Sequence, residues 1–452
     1  MARLGNYQTR QFMENTDTLT TAPRTDKYTV RLSSSQAGEE GTSIQQSRGR
    51  RPLESQAKLR AQLINLLRKA DYRVMNGKGT QLIELHTMQQ KSISAADAFV
   101  FLPRPTLAEV FKLTSLVVGY QTDDPEVKGK PTALLQLDDT WSPVLDIFRH
   151  LEAQGMISTP ARWFTVLDSL EEVAPTIKAQ AGQEFSGWPE EFDKPPTPGS
   201  SPQSLEKAGA GGQLPNQTAR QRRSALPEFN VGVFCSATTR QDSFKRSAYI
   251  LGQNLAQKGI GVVFGAGSSG MMGELARGAL DHGGYLRGAN ISRIARIEGL
   301  PQGLHEYWGE ESGIKDIYQR LSVMVANSDA FILLPGGAGT LQELLALLLL
   351  LRDKDNPLMR HRVHQDRSKK IVLVNQRLDG SGRGFYDPII NLIQLFGYKV
   401  DQDFHVVSNE LEAINQLQDS NNTVGRAVGV RAAGDLAVGE RRRPSGIGWA
   451  NV

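Results

Sequence analysis

Two glycine-rich loops in the C-terminal half of this chain have the residue types and spacing expected of a phosphate-binding site. The first is Gly265-Ala-Gly-Ser-Ser-Gly270 and the second is Pro335-Gly-Gly-Ala-Gly-Thr340. Each loop follows an apolar segment typical of a strand and precedes a segment typical of a helix. Glycines let backbone N–H groups approach an anion closely, and a helix N-terminus adds a positive dipole. The two loops therefore predict a site for a phosphate group.

The candidate binding residues for the substrate phosphate and ribose lie in these loops and after one further predicted strand: Ser236, Gly265, Gly267, Ser268, Gly270, Gly336, Gly337, Gly339 and Thr340. Neither loop has the Gly-Lys-Ser/Thr ending of a Walker A loop or the complete dinucleotide-binding fingerprint. Glycine turns without any ligand are the alternative interpretation. Two such loops sharing one edge with serine and threonine favour a ligand.

The segments around these loops indicate how the loops are positioned. Short, continuously apolar stretches at residues 230–235, 260–264, 330–334 and 370–374 predict strands, and amphipathic stretches between them predict helices. Strands that are apolar on both faces and joined by helices are typical of a parallel sheet covered on both sides. The predicted fold class is α/β, a Rossmann-like doubly wound parallel sheet, which binds ligands at the carboxyl ends of its strands.

The first half of the chain repeats part of the same pattern. Ala96-Asp-Ala-Phe-Val-Phe-Leu-Pro103 matches Ser328-Asp-Ala-Phe-Ile-Leu-Leu-Pro335, and Thr106-Leu-Ala-Glu109 matches Thr340-Leu-Gln-Glu343. Arg104-Pro105 stands where the second copy has its glycines. We interpret the chain as a tandem duplication whose first copy is shortened, degenerate and inactive.

Composition divides the chain into two folded blocks and three irregular segments. We expect a disordered N-terminal segment at 1–51, a proline- and glycine-rich linker at 180–227 and a flexible tail at 421–452. The folded blocks are then the degenerate copy at 52–179 and the catalytic domain at 228–420.

Composition and charge also exclude several classes of protein. Cys235 is the only cysteine, so the chain can form neither an intrachain disulfide nor a multi-cysteine metal cage. A formal net charge of +4 without a dense basic face does not favour nucleic-acid binding. The longest apolar run, Leu344–Leu351, is far shorter than the roughly 20 residues of a membrane span, and the first residues lack the apolar core of a secretory signal. We expect a soluble cytoplasmic protein.

The motif Pro335-Gly-Gly-x-Gly-Thr-x-x-Glu343 resembles the signature of the Lonely Guy (LOG) family, also described as lysine decarboxylase-like. Segments 233–236, 265–273 and 318–331 agree with that family in order and spacing. The resemblance implies hydrolysis of the N-glycosidic bond of a purine nucleoside 5′-monophosphate, AMP-like or cytokinin-type, to free base and ribose 5-phosphate. It implies no metal and no other cofactor. It also implies a homo-oligomer formed through the helix after Glu343.

By motif position, the resemblance implies that Arg320 and Glu343 are the catalytic residues. A carboxylate near the sugar can stabilise the cation that develops at C1′, and an arginine can bind phosphate or ribose bidentately. Thr340-x-x-Glu343 is also a capping box, so a role in stabilising the helix end is the alternative for Glu343. The counterpart of Arg320 in the first copy is Met88, which lacks any such chemistry.

Other features limit or extend the resemblance. Leu286–Arg293 stands in place of the family's usual strand, and residues 353–369 form a longer, more charged connection, so the preferred base is not carried over.

A nucleotide-binding sensor or scaffold without turnover is the rival function. We also predict that the first copy packs on the leucine-rich helix Leu341–Leu351 and forms an intrachain pseudo-dimer.

Overall fold

The computed structural model describes residues 29–33, 56–76, 93–157, 163–181, 226–239, 241–352, 356–360, 368–378 and 382–418. These residues form two α/β domains, each built on a parallel sheet. None of the helices in these stretches has both the length and the apolar character needed to cross a bilayer.

The first domain has alternating strands and helices: β1 (Thr29–Ser33), α1 (Gln56–Lys69), β2 (Arg73–Asn76), β3 (Ala98–Phe101), α2 (Leu107–Gln121), β4 (Thr132–Leu135), α3 (Ser142–Ala153), β5 (Thr165–Leu167) and α4 (Val173–Gln180). The sheet order is β2-β1-β3-β4-β5, and every neighbouring pair is parallel.

The second domain is longer: β6 (Asn230–Phe234), α5 (Asp242–Gln257), β7 (Gly261–Phe264), α6 (Gly270–Asp281), β8 (Leu286–Ala289), α7 (Ser292–Glu298), β9 (Glu306–Trp308), α8 (Ile317–Ala326), β10 (Ala330–Leu333), α9 (Ala338–Arg352), β11 (Ile371–Val374), α10 (Asp387–Leu395), β12 (His405–Val407) and α11 (Glu410–Gln418). Its sheet order is β12-β11-β10-β6-β7-β8-β9, again parallel throughout.

The two sheets share one strand order. Read as β5-β4-β3-β1-β2, the first sheet matches β12-β11-β10-β6-β7 of the second. A tertiary contact repeats as well: Trp141 Nε1 donates to the Leu102 carbonyl at 2.9 Å, and Tyr386 Oη donates to the Leu334 carbonyl at 2.5 Å. The predicted α/β fold class is confirmed, and the common order is what a tandem duplication predicts. Among the described residues, β8 and β9 have no counterpart in the first domain.

The prediction that residues 1–51 are disordered is wrong for Thr29–Ser33. These residues form β1, which pairs with both β2 and β3 near the centre of the first sheet. Val30 and Leu32 are completely buried. The local sequence is too short and too isolated to reveal this, because the strand is stabilised by its two neighbours. The rest of that segment, residues 182–225 of the predicted linker, the predicted tail and Met88 lie outside the described residues.

The two domains pack through equivalent helices. α2 lies against α9, and α3 lies against α10. Gln342 Nε2 of α9 donates to Ser115 Oγ of α2 at 3.2 Å, and His150 Nε2 of α3 lies 2.9 Å from the Phe385 carbonyl oxygen. Contacts between equivalent elements are the arrangement of an isologous dimer. Because α9 is buried from Thr340 through Leu350, the predicted packing of the first copy on this helix is present within one chain.

Candidate active site

The loops that follow neighbouring strands of the second sheet meet at its carboxyl edge. Strand order reverses between β10 and β6, which is where open α/β sheets bind ligands. Ser236 N, after β6, donates to the Pro335 carbonyl at 3.1 Å. Met271 N donates back to the Ser236 carbonyl at 2.9 Å, and Ser269 Oγ donates to the Ala237 carbonyl at 3.0 Å. These bonds fix both glycine loops around the end of β6.

Most glycines in the two loops are required by close contacts within the protein itself. A Cβ on Gly265 would collide with Nη2 of Arg320, and a Cβ on Gly337 would lie 2.6 Å from the Met156 carbonyl oxygen of the first domain. A Cβ on Gly339 would meet nothing within 4 Å, so this position faces open space. Further collisions with protein atoms would occur at Gly267, Gly270 and Gly336. The glycines that predicted the site therefore also allow its walls to pack.

The serine hydroxyls predicted to contact substrate are partly used by the loops. Ser236 is buried, and its Oγ accepts hydrogen bonds of 3.0 Å from the backbone N–H groups of Thr238 and Thr239. Ser268 is exposed, and its Oγ donates to the Glu298 carbonyl at 3.1 Å. Ser236 thus shapes the turn after β6, whereas Ser268 links the glycine loop after β7 to α7.

The capping-box interpretation of Thr340 and Glu343 is wrong. Helix α9 begins at Ala338, three residues before the predicted start at Leu341, so Thr340 already lies within the first turn. Its hydroxyl instead occupies the space that a Cβ on Gly336 would fill. The early start leaves Glu343 inside the helix rather than at its end, and frees its carboxyl group from the role of a cap.

Glu343 lies in an environment that favours its neutral form. The residue is 8% exposed, and among the described residues its carboxylate has no hydrogen-bonding partner. Burial raises the pKa of Glu343 to about 8, a nearby Arg320 charge acts to lower this pKa, and Glu298 acts to raise it. Burial also raises the pKa of the Cys235 thiol well above its ordinary value, with Glu343 as a second cause. The site therefore contains a titratable carboxyl group and an un-ionised thiol.

Arg320, on α8, lies near enough to Glu343 for its charge to act on the pKa of that carboxyl group. Asp316 caps that helix by accepting from Tyr318 N at 2.9 Å and from Gln319 N at 2.8 Å. The Arg320 guanidinium then donates from Nε to the Ala289 carbonyl at 3.0 Å and from Nη2 to the Gly265 carbonyl at 3.1 Å. Two backbone carbonyls at the ends of β7 and β8 thus fix its plane. Arg320 and Glu343 interact electrostatically across this edge, and the catalytic roles that the motif spacing implies for them stay a prediction.

Glu298, which no sequence motif singles out, also lies at this edge. The residue is half-buried, but its Oε2 atom is fully buried and has no hydrogen-bonding partner. Burial raises the pKa of Glu298 to about 7, while the Arg320 charge acts to lower it. Glu298 ends a short polar helix whose pattern resembles many solvent-exposed helices, so no sequence signal separated it from other glutamates.

The segment from Leu286 to Arg293 was predicted to lack the family's usual strand, and this prediction is wrong. Its first residues form β8, which pairs with both β7 and β9. Arg293, in the first turn of α7, forms an ion pair with Asp124 of the first domain, with 2.6 Å between Nη2 and Oδ2. Arg293 lies close enough to Arg320 for the two charges to interact. The first domain therefore reaches the border of the site.

The described residues contain no group of three or more histidine, cysteine, aspartate and glutamate side chains that could hold a metal ion. The chemical groups present at the edge are two buried carboxyl groups, one fixed guanidinium and the N-termini of α6 and α9. Such an arrangement can bind an anion and transfer protons.

Comparison with known proteins relates this domain to a family. Residues 272–427 match the family described as "Possible lysine decarboxylase". A probable cytokinin riboside 5′-monophosphate phosphoribohydrolase of Oryza sativa subsp. japonica is 40% identical over 120 residues, covering 26% of this chain and 47% of that protein. A cytokinin riboside 5′-monophosphate phosphoribohydrolase of Arabidopsis thaliana is 37% identical over 120 residues, covering 26% of this chain and 54% of that protein. The predicted resemblance to the LOG family is confirmed for this region.

The chain spans about half the length of the curated relatives it matches. Among solved structures, a molybdenum cofactor binding protein of Rippkaea orientalis superposes with a TM-score of 0.32 and 18% identity, covering 44% of this chain and 100% of that chain. A Moco carrier protein of Chlamydomonas reinhardtii superposes with a TM-score of 0.30 and 19% identity, covering 42% of this chain and 98% of that chain. Superpositions of this quality carry no functional inference.

Proposed function

We propose that the second domain hydrolyses the N-glycosidic bond of a purine nucleoside 5′-monophosphate, AMP-like or cytokinin-type, and releases free base and ribose 5-phosphate. The observation that carries the proposal is the placement of the buried Glu343 carboxyl group, which has no hydrogen-bonding partner among the described residues, within electrostatic range of Arg320, whose guanidinium is fixed on the Gly265 loop. The matched relatives, named as phosphoribohydrolases, support the same reaction class.

The helix N-termini would bind the phosphate. Both α6 and α9 begin at the carboxyl edge directly after a glycine loop, and the first N–H groups of any helix lack intrahelical partners. The open space at Gly339 lies at the start of α9. An anion there would meet N–H donors and the positive end of the helix dipole.

Arg320 and Glu343 would act on the ribose and its leaving base. When the C1′–N bond breaks, its electron pair leaves with the base and positive charge develops at C1′. An ionised Glu343 would stabilise that charge or accept a proton from the water that attacks C1′. Because its two backbone bonds fix the Arg320 plane, the remaining N–H groups of this guanidinium are pre-oriented for phosphate or ribose oxygens.

Incubation of the full-length protein with AMP, GMP, CMP and isopentenyladenosine monophosphate tests this function. We expect chromatography to show free base and ribose 5-phosphate from at least one purine nucleotide. Arg320→Ala should abolish release, whereas Arg277→Ala should retain it, because Arg277 forms an exposed pair with Glu274. Tight binding of a nucleotide without release from any of the four would instead support the sensor or scaffold function.

We further infer that the first domain acts as an inactive pseudo-subunit. It covers α9 through α2, and its Met156 carbonyl lies against Gly337 of the phosphate loop. A fragment of residues 226–418 would expose the leucine-rich helix, so we expect it to aggregate or lose base release. An active, monodisperse fragment would contradict this role. A cytoplasmic location and further self-association into a homo-oligomer remain part of the proposal, and size-exclusion chromatography of the full chain tests the latter.

A further inference from the structure

The segment of residues 289–298, which contains the short helix α7, is bonded to two parts of the candidate site. At its start, the Ala289 carbonyl accepts from Arg320 Nε at 3.0 Å. At its end, the Glu298 carbonyl accepts from Ser268 N at 3.2 Å and from Ser268 Oγ at 3.1 Å. One segment therefore contacts both the guanidinium of Arg320 and the glycine loop that follows β7.

Helix α7 has little to hold it in place by itself. It spans seven residues, whereas an isolated helix shorter than about 12–15 residues is marginal in water. Ile294 is the only one of the seven residues that is buried. The N-cap is Ile291, whose side chain has no oxygen to accept from the first N–H groups of the helix. The position of α7 therefore depends on the contacts at its two ends.

The first domain supplies one of these contacts through the ion pair of Asp124 with Arg293. Oδ2 of Asp124 lies 2.6 Å from Nη2 of Arg293, and the two side chains are only 8% and 18% exposed. Asp124 is itself fixed after α2, because its Oδ1 accepts from Glu126 N at 3.1 Å and its N donates to the Gly119 carbonyl at 2.9 Å. A short, charge-assisted bond that is largely shielded from water is stronger than an exposed ion pair. The pair thus anchors α7 to a well-ordered turn of the first domain.

We propose that Asp124 is a positioning residue for the candidate site and acts through Arg293 on the geometry of the glycine loop after β7. This inference rests on the proposed function of the second domain. Asp124 touches no substrate. It holds Arg293, Arg293 holds α7, and the end of α7 holds Ser268 of the loop. The first domain then contributes to nucleotide binding as well as covering α9.

Kinetic analysis of the full-length protein tests this role with Asp124→Asn, Arg293→Gln and the double variant. The substrate is whichever of AMP, GMP and isopentenyladenosine monophosphate the wild type hydrolyses fastest. Each single variant should raise KM by about 10- to 10²-fold and change kcat less, because a displaced phosphate loop loses binding that the ground state and the transition state share. The double variant should be no worse than the more impaired single variant, since both changes remove one contact. Asp124→Glu, which keeps the charge, should recover most of the lost affinity.

The matched control removes another polar contact between the two domains. His150 Nε2 lies 2.9 Å from the Phe385 carbonyl oxygen, so His150→Ala breaks an interdomain contact without touching α7. Its KM should equal that of the wild type. An equal rise of KM in His150→Ala and Asp124→Asn would mean that Asp124 only packs the domains together, and an unchanged KM in folded Asp124→Asn would also overturn the proposal.

Hydrogen exchange measures the same coupling without turnover. In Asp124→Asn, the amides of residues 265–273 and 289–298 should exchange faster than in the wild type, while those of α10 should not change. Unchanged exchange in both segments would refute the coupling whatever the activity. Absence of base release by the wild type would refute the proposed function, and faster exchange in Asp124→Asn would still support the positioning of the loop by Asp124.

Discussion

The two copies of the Thr-Leu-x-Glu motif have the same spacing but different structures. In the first copy, Thr106 is the N-cap of α2: its backbone N donates to Glu109 Oε2 at 2.7 Å, and Glu109 N donates to Thr106 Oγ1 at 3.4 Å. In the second copy, the glycine loop lets α9 begin at Ala338, so Glu343 lies deeper in the helix and does not act as a cap. Losing or keeping the glycines thus changes the chemistry available to an identical glutamate.

The surroundings of the two glutamates differ in the same sense. In the first copy, Arg104 adopts a left-handed conformation with φ of 60°, its N–H donates to Thr140 Oγ1 at 2.8 Å, and its side chain lies 3.7 Å from Asp138. The equivalent edge of that sheet is therefore filled by its own side chains. In the second copy, the loop leaves open space at Gly339. The two copies therefore differ in whether side chains occupy this edge of the sheet.

The largest expected effect separates the two glutamates. Glu343→Gln should lower base release by about 10²- to 10⁴-fold, because acid–base groups contribute on that scale. Glu109→Gln should leave release unchanged and reduce the free energy of unfolding by about 1 kcal/mol through loss of the capping box. Product chromatography and chemical denaturation measure the two quantities. Equal losses of activity in both variants would remove the functional distinction between the copies.

Next in size is the ion pair that joins the first copy to the border of the site. Asp124→Asn would leave Arg293 without its partner, and desolvation already lowers the pKa of this guanidinium while Asp124 opposes that effect. Breaking such a partly buried pair should cost roughly 2–4 kcal/mol of unfolding free energy. Lys128→Ala, which removes a weaker exposed pair with Asp123, is the control. If Asp124→Asn lowered the free energy of unfolding by less than Lys128→Ala, the ion pair would not stabilise the packing of the two domains.

The stability of the second domain should depend on pH through its buried carboxyl groups. The pKa of Glu343 is raised from 4.5 to about 8, so the folded state binds more protons than the unfolded state between these values. The contribution of Glu343 to the free energy of unfolding is therefore fully present below pH 4.5. It is lost as pH rises through 8, by an amount on the order of a few kcal/mol. Denaturation midpoints of the wild type and Glu343→Gln measure this, and the variant should show a flatter dependence. Parallel curves would mean that Glu343 is ionised throughout.

The smallest expected effect concerns the backbone of the first copy. Arg104→Gly should relieve the cost of a positive φ at a residue with a side chain, but it also removes the Asp138 contact. We expect a net change in unfolding free energy of about 1 kcal/mol or less and no change in base release. Thermal denaturation and the nucleotide assay measure the two outcomes. A gain of activity would mean that the first copy retains a usable site.

Sequence patterns predicted the parallel α/β domain and its glycine loops because strand hydrophobicity and turn glycines are local signals. The strands at Asn230–Phe234 and Ala330–Leu333 follow from such signals, and the Arg320 side chain lies on the predicted loop at Gly265. β1 was missed because five residues in a polar context acquire their structure only by pairing with β2 and β3. Glu298 was missed because its burial is created by a loop distant in sequence.

The sequence by itself determined which chemical groups the second copy retains and where they fall relative to its strands. Only the tertiary structure decided what each group does. The same Thr-Leu-x-Glu spacing gives a capping box at Glu109 and a buried carboxyl group at Glu343. The reason is that the loop before each helix, together with its contacts, sets the residue at which that helix begins. Burial, approach of Arg320 and the second carboxyl group of Glu298 then set the pKa of Glu343, and these are properties of packing rather than of spacing.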